Sequence, residues 1–162
     1  FLYTIKLSYN DWGDILVLVF FGFIPVGGTY YVQALTYTPE TAIASLVSGL
    51  VVDTLLVLNN YRDRDQDAVS GKRTLIVRFG EPFGRSLYLF LGLFASWMCL
   101  CFVIGGHLWA AILPQIYLFP HIRTWNTMTK INRGRELNKV LGMTSRNMLI
   151  MSFLLFLGLI LK

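Results

Sequence analysis

Residues 41–74 read TAIASLVSGLVVDTLLVLNNYRDRDQDAVSGKRT. An apolar run long enough to cross a bilayer passes without interruption into a mixed acidic and basic run. In that run Asn59, Asp63 and Asp67 are spaced i, i+4, i+8. On a helix this spacing puts three oxygen-bearing side chains on one face, drifting roughly 40° per step. Carboxylates in a row repel one another. A row at the mouth of a membrane helix invites a hard cation such as Mg2+, and through the cation a diphosphate.

The rest of the chain supports a membrane setting. It is 162 residues long, 55% hydrophobic and only 14% charged, where a soluble domain is about a quarter charged. The composition predicts an all-α, polytopic membrane helix bundle forming a single region over residues 1–162. Five segments are long enough to span, at about 14–33, 41–60, 86–106, 107–122 and 146–161. Pro25, Gly27 and Gly28 predict a kink or a close helix contact in the first. The fourth is the shortest and contains Pro114 and Pro120. Cys99 and Cys101 lie in an apolar run, point to opposite faces and read as structural thiols.

Five alternating crossings put residues 1–13, 61–85 and 123–146 on one side. That side then holds 13 of the 14 Lys and Arg, Lys6 among them, with Lys162 opposite. The positive-inside rule makes this the cytoplasmic side. The net charge of +5 therefore belongs to orientation, anionic lipid and an anionic substrate, not to nucleic acid. Segment 61–85 is too long for a tight connection and carries Gly71, Gly80, Pro82 and Gly84 as punctuation. It predicts an ordered cytoplasmic cap with a short helix that carries the aspartate-rich run. The chain begins at Phe1 with a short amphipathic lead and no signal peptide, and reads as a piece of a longer protein.

Asp63 and Asp67 are the primary carboxylates of the predicted Mg2+ face, and Asn59 adds an amide oxygen. Asp65 points about 200° away from Asp63 and reads as solvated or paired with Arg62 or Arg64. Lys72 and Arg73 follow a turn-permitting glycine, well placed to hold phosphate oxygens. The competing reading of the run is a solvated face that only signals orientation. Asp53 lies inside the second span, where an ionisable residue is a functional hypothesis by default. It shares a face with Asn60, so the two are cavity-lining candidates; a hydrogen-bonded acid packed between helices is the alternative. Tyr30, Tyr31 and Gln33 fit an interfacial belt as well as a ligand contact. His107 and His121 flank the fourth span with no cluster of partners.

The stretch NNYRDRDQDAVSGKRTLIVRFG, residues 59–80, resembles the second aspartate-rich motif of the UbiA superfamily of membrane prenyltransferases. It is most similar to the branch that prenylates 1,4-dihydroxy-2-naphthoate in menaquinone biosynthesis. Asn59, Asn60, Arg62, Asp63, Asp67, Gly71, Lys72, Thr74, Leu75, Val77, Arg78 and Gly80 stand at matching positions. The lead-in from Gly13 to Gln33 and the tail from Leu137 to Thr144 are similar too. The resemblance implies a nine-helix fold of which this chain matches the second half, in a bacterial cytoplasmic membrane. It implies that Asn59, Asp63 and Asp67 bind metal and diphosphate, with the two aspartates essential to catalysis. Lys72, Arg73 and Arg78 become diphosphate contacts. It further implies a polyprenyl diphosphate donor whose tail lies in a lipid-open groove. The implied acceptor is aromatic, dihydroxynaphthoate, and loses its carboxylate to give demethylmenaquinone. The family's first acidic motif has no match in residues 1–58, which implies a missing N-terminal half that would face this motif. The alternatives are a prenyltransferase with another acceptor, or a non-catalytic helix bundle that binds a lipid or an ion. A phosphatidyl-transferring enzyme ranks low, because the chain has no Asp-Gly dipeptide.

Overall fold

A computed structural model describes residues 12–161, so Lys6, Asn10, Asp11 and Lys162 lie outside the described residues. The described chain is all helical. Helix α1 runs Gly13–Ala34, α2 Pro39–Ser70, α3 Leu75–Phe79 and α4 Glu81–Val103. Helix α5 is Leu108–Ile112, α6 Leu118–Ile131 and α7 Leu137–Ile160. Four of these, α1, α2, α4 and α7, are long and apolar enough to cross a membrane.

Helix α2 sets the architecture. Thr38 caps it by accepting from the Thr41 amide at 3.2 Å, Pro39 occupies its first turn and Glu40 faces the helix dipole. Its 32 residues span about 48 Å, well beyond the roughly 30 Å hydrocarbon layer. The expected second span at 41–60 is thus only part of one rod. Residues 61–70 continue it in place of a loop, and the turn begins at Gly71, whose φ of 74° needs no Cβ. Thr74 then caps α3, and Gly80 (φ 87°) turns the chain into α4.

The expected fourth span differs most. Residues 108–131 form α5, a 3-10 turn at Leu113–Tyr117 and α6. Pro114 lacks an amide proton and sits where the α geometry gives way to 3-10. The segment nevertheless travels the length of the bundle. Before its start, Gly105 packs on Glu40 near the beginning of α2. At its end, Asn132 bonds Tyr61 near the far end of α2. The acidic run and the 132–136 turn therefore lie at one end of the bundle, with Glu40 and His107 at the other. The last span also starts earlier than expected, at Leu137.

Small residues and internal hydrogen bonds hold the rods together, as expected where lipid removes the hydrophobic drive between helices. Helix α1 has a π-type stretch, Leu18–Gly27, around Pro25. There Gly22 lies against the Ser45 carbonyl and Gly49, and Gly49 against Leu18. Gly27 packs on Tyr37, whereas a methyl group at Gly28 would meet nothing within 4 Å, so the close contact resides at Gly22 and Gly27. Gln115 bonds Ser96 in both directions, at 2.8 and 2.9 Å, joining the broken segment to α4. Tyr88 bonds Thr144 at 2.8 Å, and Asn147 donates to Thr124 at 2.8 Å. His121 is not at an interface but fully buried, between the Tyr117 hydroxyl and the Leu89 carbonyl. Cys99 is buried and bonds the Ala95 carbonyl, and neither cysteine is in a disulfide.

Gly22→Ala is expected to destabilise the bundle by about 1–3 kcal/mol, because its methyl meets a backbone carbonyl that cannot swing away. Gly28→Ala, with open space around it, is expected to be neutral or slightly stabilising. Thermal unfolding of both variants in one detergent checks the contrast, and equal midpoints would refute the close α1–α2 crossing.

Candidate functional site

The polar extension of α2 carries its side chains in two faces. On one, Asn59 and Asp63 are half-buried and Asp67 is 9% exposed. Both carboxylates already hold cations. Arg62 grips Asp63 with two bonds of 2.7 Å, Nε to Oδ1 and Nη2 to Oδ2. Lys72 Nζ lies 3.1 Å from Asp67 Oδ2. The Gly71 turn makes that second pair possible, since the Lys72 amide also donates to the Asp67 carbonyl at 3.0 Å. Arg73 stands exposed beyond the turn. Arg78 ends α3, its guanidinium 5.0 Å from the Phe79 ring centre.

The opposite face is buried and acts as a strut. Tyr61 is fully buried, and Arg64 is 6% exposed. Arg64 donates to the Tyr61 carbonyl at 2.6 Å, to Asn132 Oδ1 at 3.1 Å and to Glu81 at 3.2 Å. The Tyr61 hydroxyl donates to Asn132 Oδ1 at 2.8 Å and accepts from Arg85 Nε at 2.9 Å. Arg85 also pairs with Glu81, and its carbonyl accepts from Trp125 Nε1 at 2.9 Å. This network ties α2 to α4, α6 and the 132–136 turn. Of the two expectations for Asp65, solvated or paired with Arg62 or Arg64, the structure bears out the first. Asp65 is highly exposed and meets Arg133 at 3.7 Å, while Arg62 and Arg64 are taken by Asp63 and Glu81. Tyr61, Arg64, Glu81, Arg85 and Asn132 were missed as site residues because their partners lie up to 71 residues apart.

Beside Asp63, a polar cleft of about 520 Å3 separates α2 from the start of α7, lined by Arg62, Asp63, Asp65, Gln66, Gly134, Arg135 and Asn138. Arg62 Nη1 bridges it to Asn138 Oδ1 at 3.0 Å. Asp53 and Asn60 are both buried, on the shared face expected of them, but neither lines this cleft. Asp53 Oδ1 has no hydrogen-bond partner among the described residues. Two apolar cavities lie toward the other end. One, about 290 Å3, is lined by residues such as Val47, Val51, Met148 and Met151. The other, about 640 Å3, includes Tyr30, Gln33, Glu40 and His107, so these belt residues face a cavity while Tyr31 is exposed. The two share Val26, Ala44 and Leu159.

Among the described residues no three His, Cys, Asp or Glu side chains converge as a metal cage. The donor set fits one side of a divalent-cation site: two carboxylates and an amide oxygen on a helix face, with further oxygens needed from a ligand.

A bundle of apolar helices whose longest rod carries paired acids and cations beyond its apolar zone defines an integral membrane protein. The chain belongs to the UbiA prenyltransferase family, whose model matches residues 1–153. Members of this family generally use a divalent metal. A 1,4-dihydroxy-2-naphthoate octaprenyltransferase of Haemophilus influenzae is 40% identical over 72% of this chain and 38% of its own length. The Escherichia coli protein of the same name is 42% identical over 57% of this chain and 30% of its own. The one from Mycobacterium tuberculosis is 34% identical over 88% of this chain and 48% of its own. The chain thus spans less than half the length of these relatives. No solved structure matches it.

Tyr61→Phe leaves Asn132 and Arg85 short of a buried partner and is expected to cost about 1–3 kcal/mol. Asp65→Ala removes only an exposed, long ion pair and is expected to stay within about 0.5 kcal/mol. Urea unfolding of the two variants in the same detergent measures both.

Proposed function

We propose that this chain carries the diphosphate-binding face of a prenyltransferase that moves a polyprenyl group from polyprenyl diphosphate to an aromatic acceptor. The acceptor is 1,4-dihydroxy-2-naphthoate and the direct product demethylmenaquinol, the hydroquinone whose two-electron oxidation by a separate oxidant gives demethylmenaquinone. The observation that carries this reading is the helix face of Asn59, Asp63 and Asp67, with Lys72 folded back onto Asp67 by the Gly71 turn. The similarity to three naphthoate octaprenyltransferases supports the acceptor.

Asn59, Asp63 and Asp67 would hold Mg2+, which when bound neutralises diphosphate charge as the allylic carbon–oxygen bond breaks. Lys72 and Arg73 bind the diphosphate oxygens, Lys as a point charge and Arg in bidentate fashion, and Arg78 adds positive charge. They stabilise the leaving group as it takes the bonding electrons. The acceptor ring attacks the allylic carbon and sheds its carboxylate as CO2. Arg62 holds Asp63 in place from the neighbouring position. The tail descends between α1, α2 and α7, where the two joined apolar cavities begin. Ala44, which lines both, is 19 residues from Asp63, about 28 Å along the helix. The acidic face looks into the cytoplasm of a bacterial inner membrane. Support for that orientation comes from the basic segments gathered at this end.

Membranes containing the protein are expected to transfer a prenyl group to dihydroxynaphthoate only when Mg2+ is present. Asp63→Ala and Asp67→Ala are each expected to lower the rate on the order of 100-fold or more, and to abolish Mg2+-dependent retention of polyprenyl diphosphate. Asp65→Ala is expected to retain Mg2+-dependent binding of polyprenyl diphosphate. Unchanged binding in the Asp63 and Asp67 variants would sink the reading.

A further inference from the structure

We infer that the cleft between α2 and the start of α7 is the seat for the carboxylate of the aromatic acceptor, with Arg135 as its principal contact; this rests on the prenyl-transfer reading above. The reaction has two anionic substrates, and the structure has two groups of cations on either side of Asp63. Lys72 bonds Asp67, one helical turn beyond Asp63. Neither Asp67, Lys72 nor Arg73 lines the cleft. The cleft has its own polar wall, in which Arg62, Gln66, Arg135 and Asn138 stand beside the carboxylates of Asp63 and Asp65. Its volume of about 520 Å3 falls within the range of small-molecule sites. Asp63 borders both, so a ring anchored here lies next to the carbon attached to the diphosphate.

Charge selects the cation. Arg62 is committed to Asp63 by two bonds, and Asp65 leans toward Arg133. The Arg135 guanidinium has no partner among the described residues. A carboxylate matches the planar fork of arginine, and Asn138 is already oriented into the cleft by its bond from Arg62. The turn that presents Arg135 is fixed from below. Asn132 holds a positive φ of 60° while its side chain accepts from Tyr61 and Arg64, and Gly134 follows at φ 91°. The strut beneath the acidic helix therefore also positions the acceptor contact.

The protein in detergent is titrated with 1-hydroxy-2-naphthoate, with 1-naphthol, which lacks the carboxylate, and with inorganic diphosphate. Arg135→Ala, an exposed substitution, is expected to weaken naphthoate binding about tenfold or more, with partial recovery in Arg135→Lys. Binding of naphthol and of diphosphate is expected to stay within about twofold. In turnover, the same variant is expected to raise KM for the acceptor and leave KM for polyprenyl diphosphate unchanged. No naphthoate binding by the unsubstituted protein, equal naphthoate binding in Arg135→Ala, or a selective loss of diphosphate binding would each overturn the assignment. Arg135-dependent naphthoate binding without any prenyl transfer would keep the cleft and remove the transferase reading. Transfer with an unshifted acceptor KM in Arg135→Ala would do the reverse.

Discussion

The hydrogen bonds that converge on Asn132 hold the working end of the molecule together. One amide oxygen accepts from the Tyr61 hydroxyl and from Arg64, and so joins the longest helix to a turn some seventy residues later. Arg64 is nearly buried, and a buried guanidinium with an empty donor would cost several kcal/mol. The protein satisfies it three ways, through the Tyr61 carbonyl, Glu81 and Asn132. Each partner comes from a different part of the chain, so α2 cannot tilt without breaking bonds to α4 and to the 132–136 turn. Rigidity on this face lets the other face present its acids at fixed spacing.

Those acids are not bare. Arg62 and Lys72 neutralise Asp63 and Asp67 within the protein itself. The Arg62–Asp63 pair is partly exposed, so its own contribution to stability is small, about 0–1 kcal/mol, while in the second pair Lys72 is the more exposed partner and Asp67 is nearly buried. That weakness suits an exchange of partners. In the proposed function, a cation that took over the carboxylates would release Lys72 toward an incoming phosphate. A buried pair in the same place would resist the exchange by several kcal/mol.

Much of this was legible in the residues alone, and the exceptions share a cause. The i, i+4, i+8 ladder is local, so spacing was enough to put Asn59, Asp63 and Asp67 on one face. The close contact expected near Pro25, Gly27 and Gly28 was right at Gly27 but missed Gly22 and Gly49, where the helices meet. Arg64 was not legible, because the acids on either side of it, Asp63 and Asp65, pair with Arg62 and Arg133, while its real partners, Glu81 and Asn132, are 17 and 68 positions distant. The fourth span had the right path but the wrong form. Its prolines divide it, and its second half carries Arg123 and Lys130, so apolarity alone marks only part of the rod. His121 reads as interfacial when the span is assumed to end there, yet α6 carries on past it to Ile131.

Two anions at one helix end raise a question of magnitude. Two unit charges about 8 Å apart at an effective dielectric of about 20 repel by about 2 kcal/mol, and a diphosphate carries more than one charge. Without compensation that repulsion would weaken an acceptor's binding by more than tenfold once the donor is seated. Arg62 offers little relief, since Asp63 consumes its charge. A cation from outside α2 is needed, one that stays in place when Lys72 changes partner. In the proposed seat for the acceptor, Arg135 would meet that need because its turn is tied to the buried strut through Asn132. The same constraint accounts for the mixed charge of the stretch from Arg62 to Asp67. Asp63 and Asp67 each have a cation within reach, so neither carboxylate stands uncompensated at the helix end.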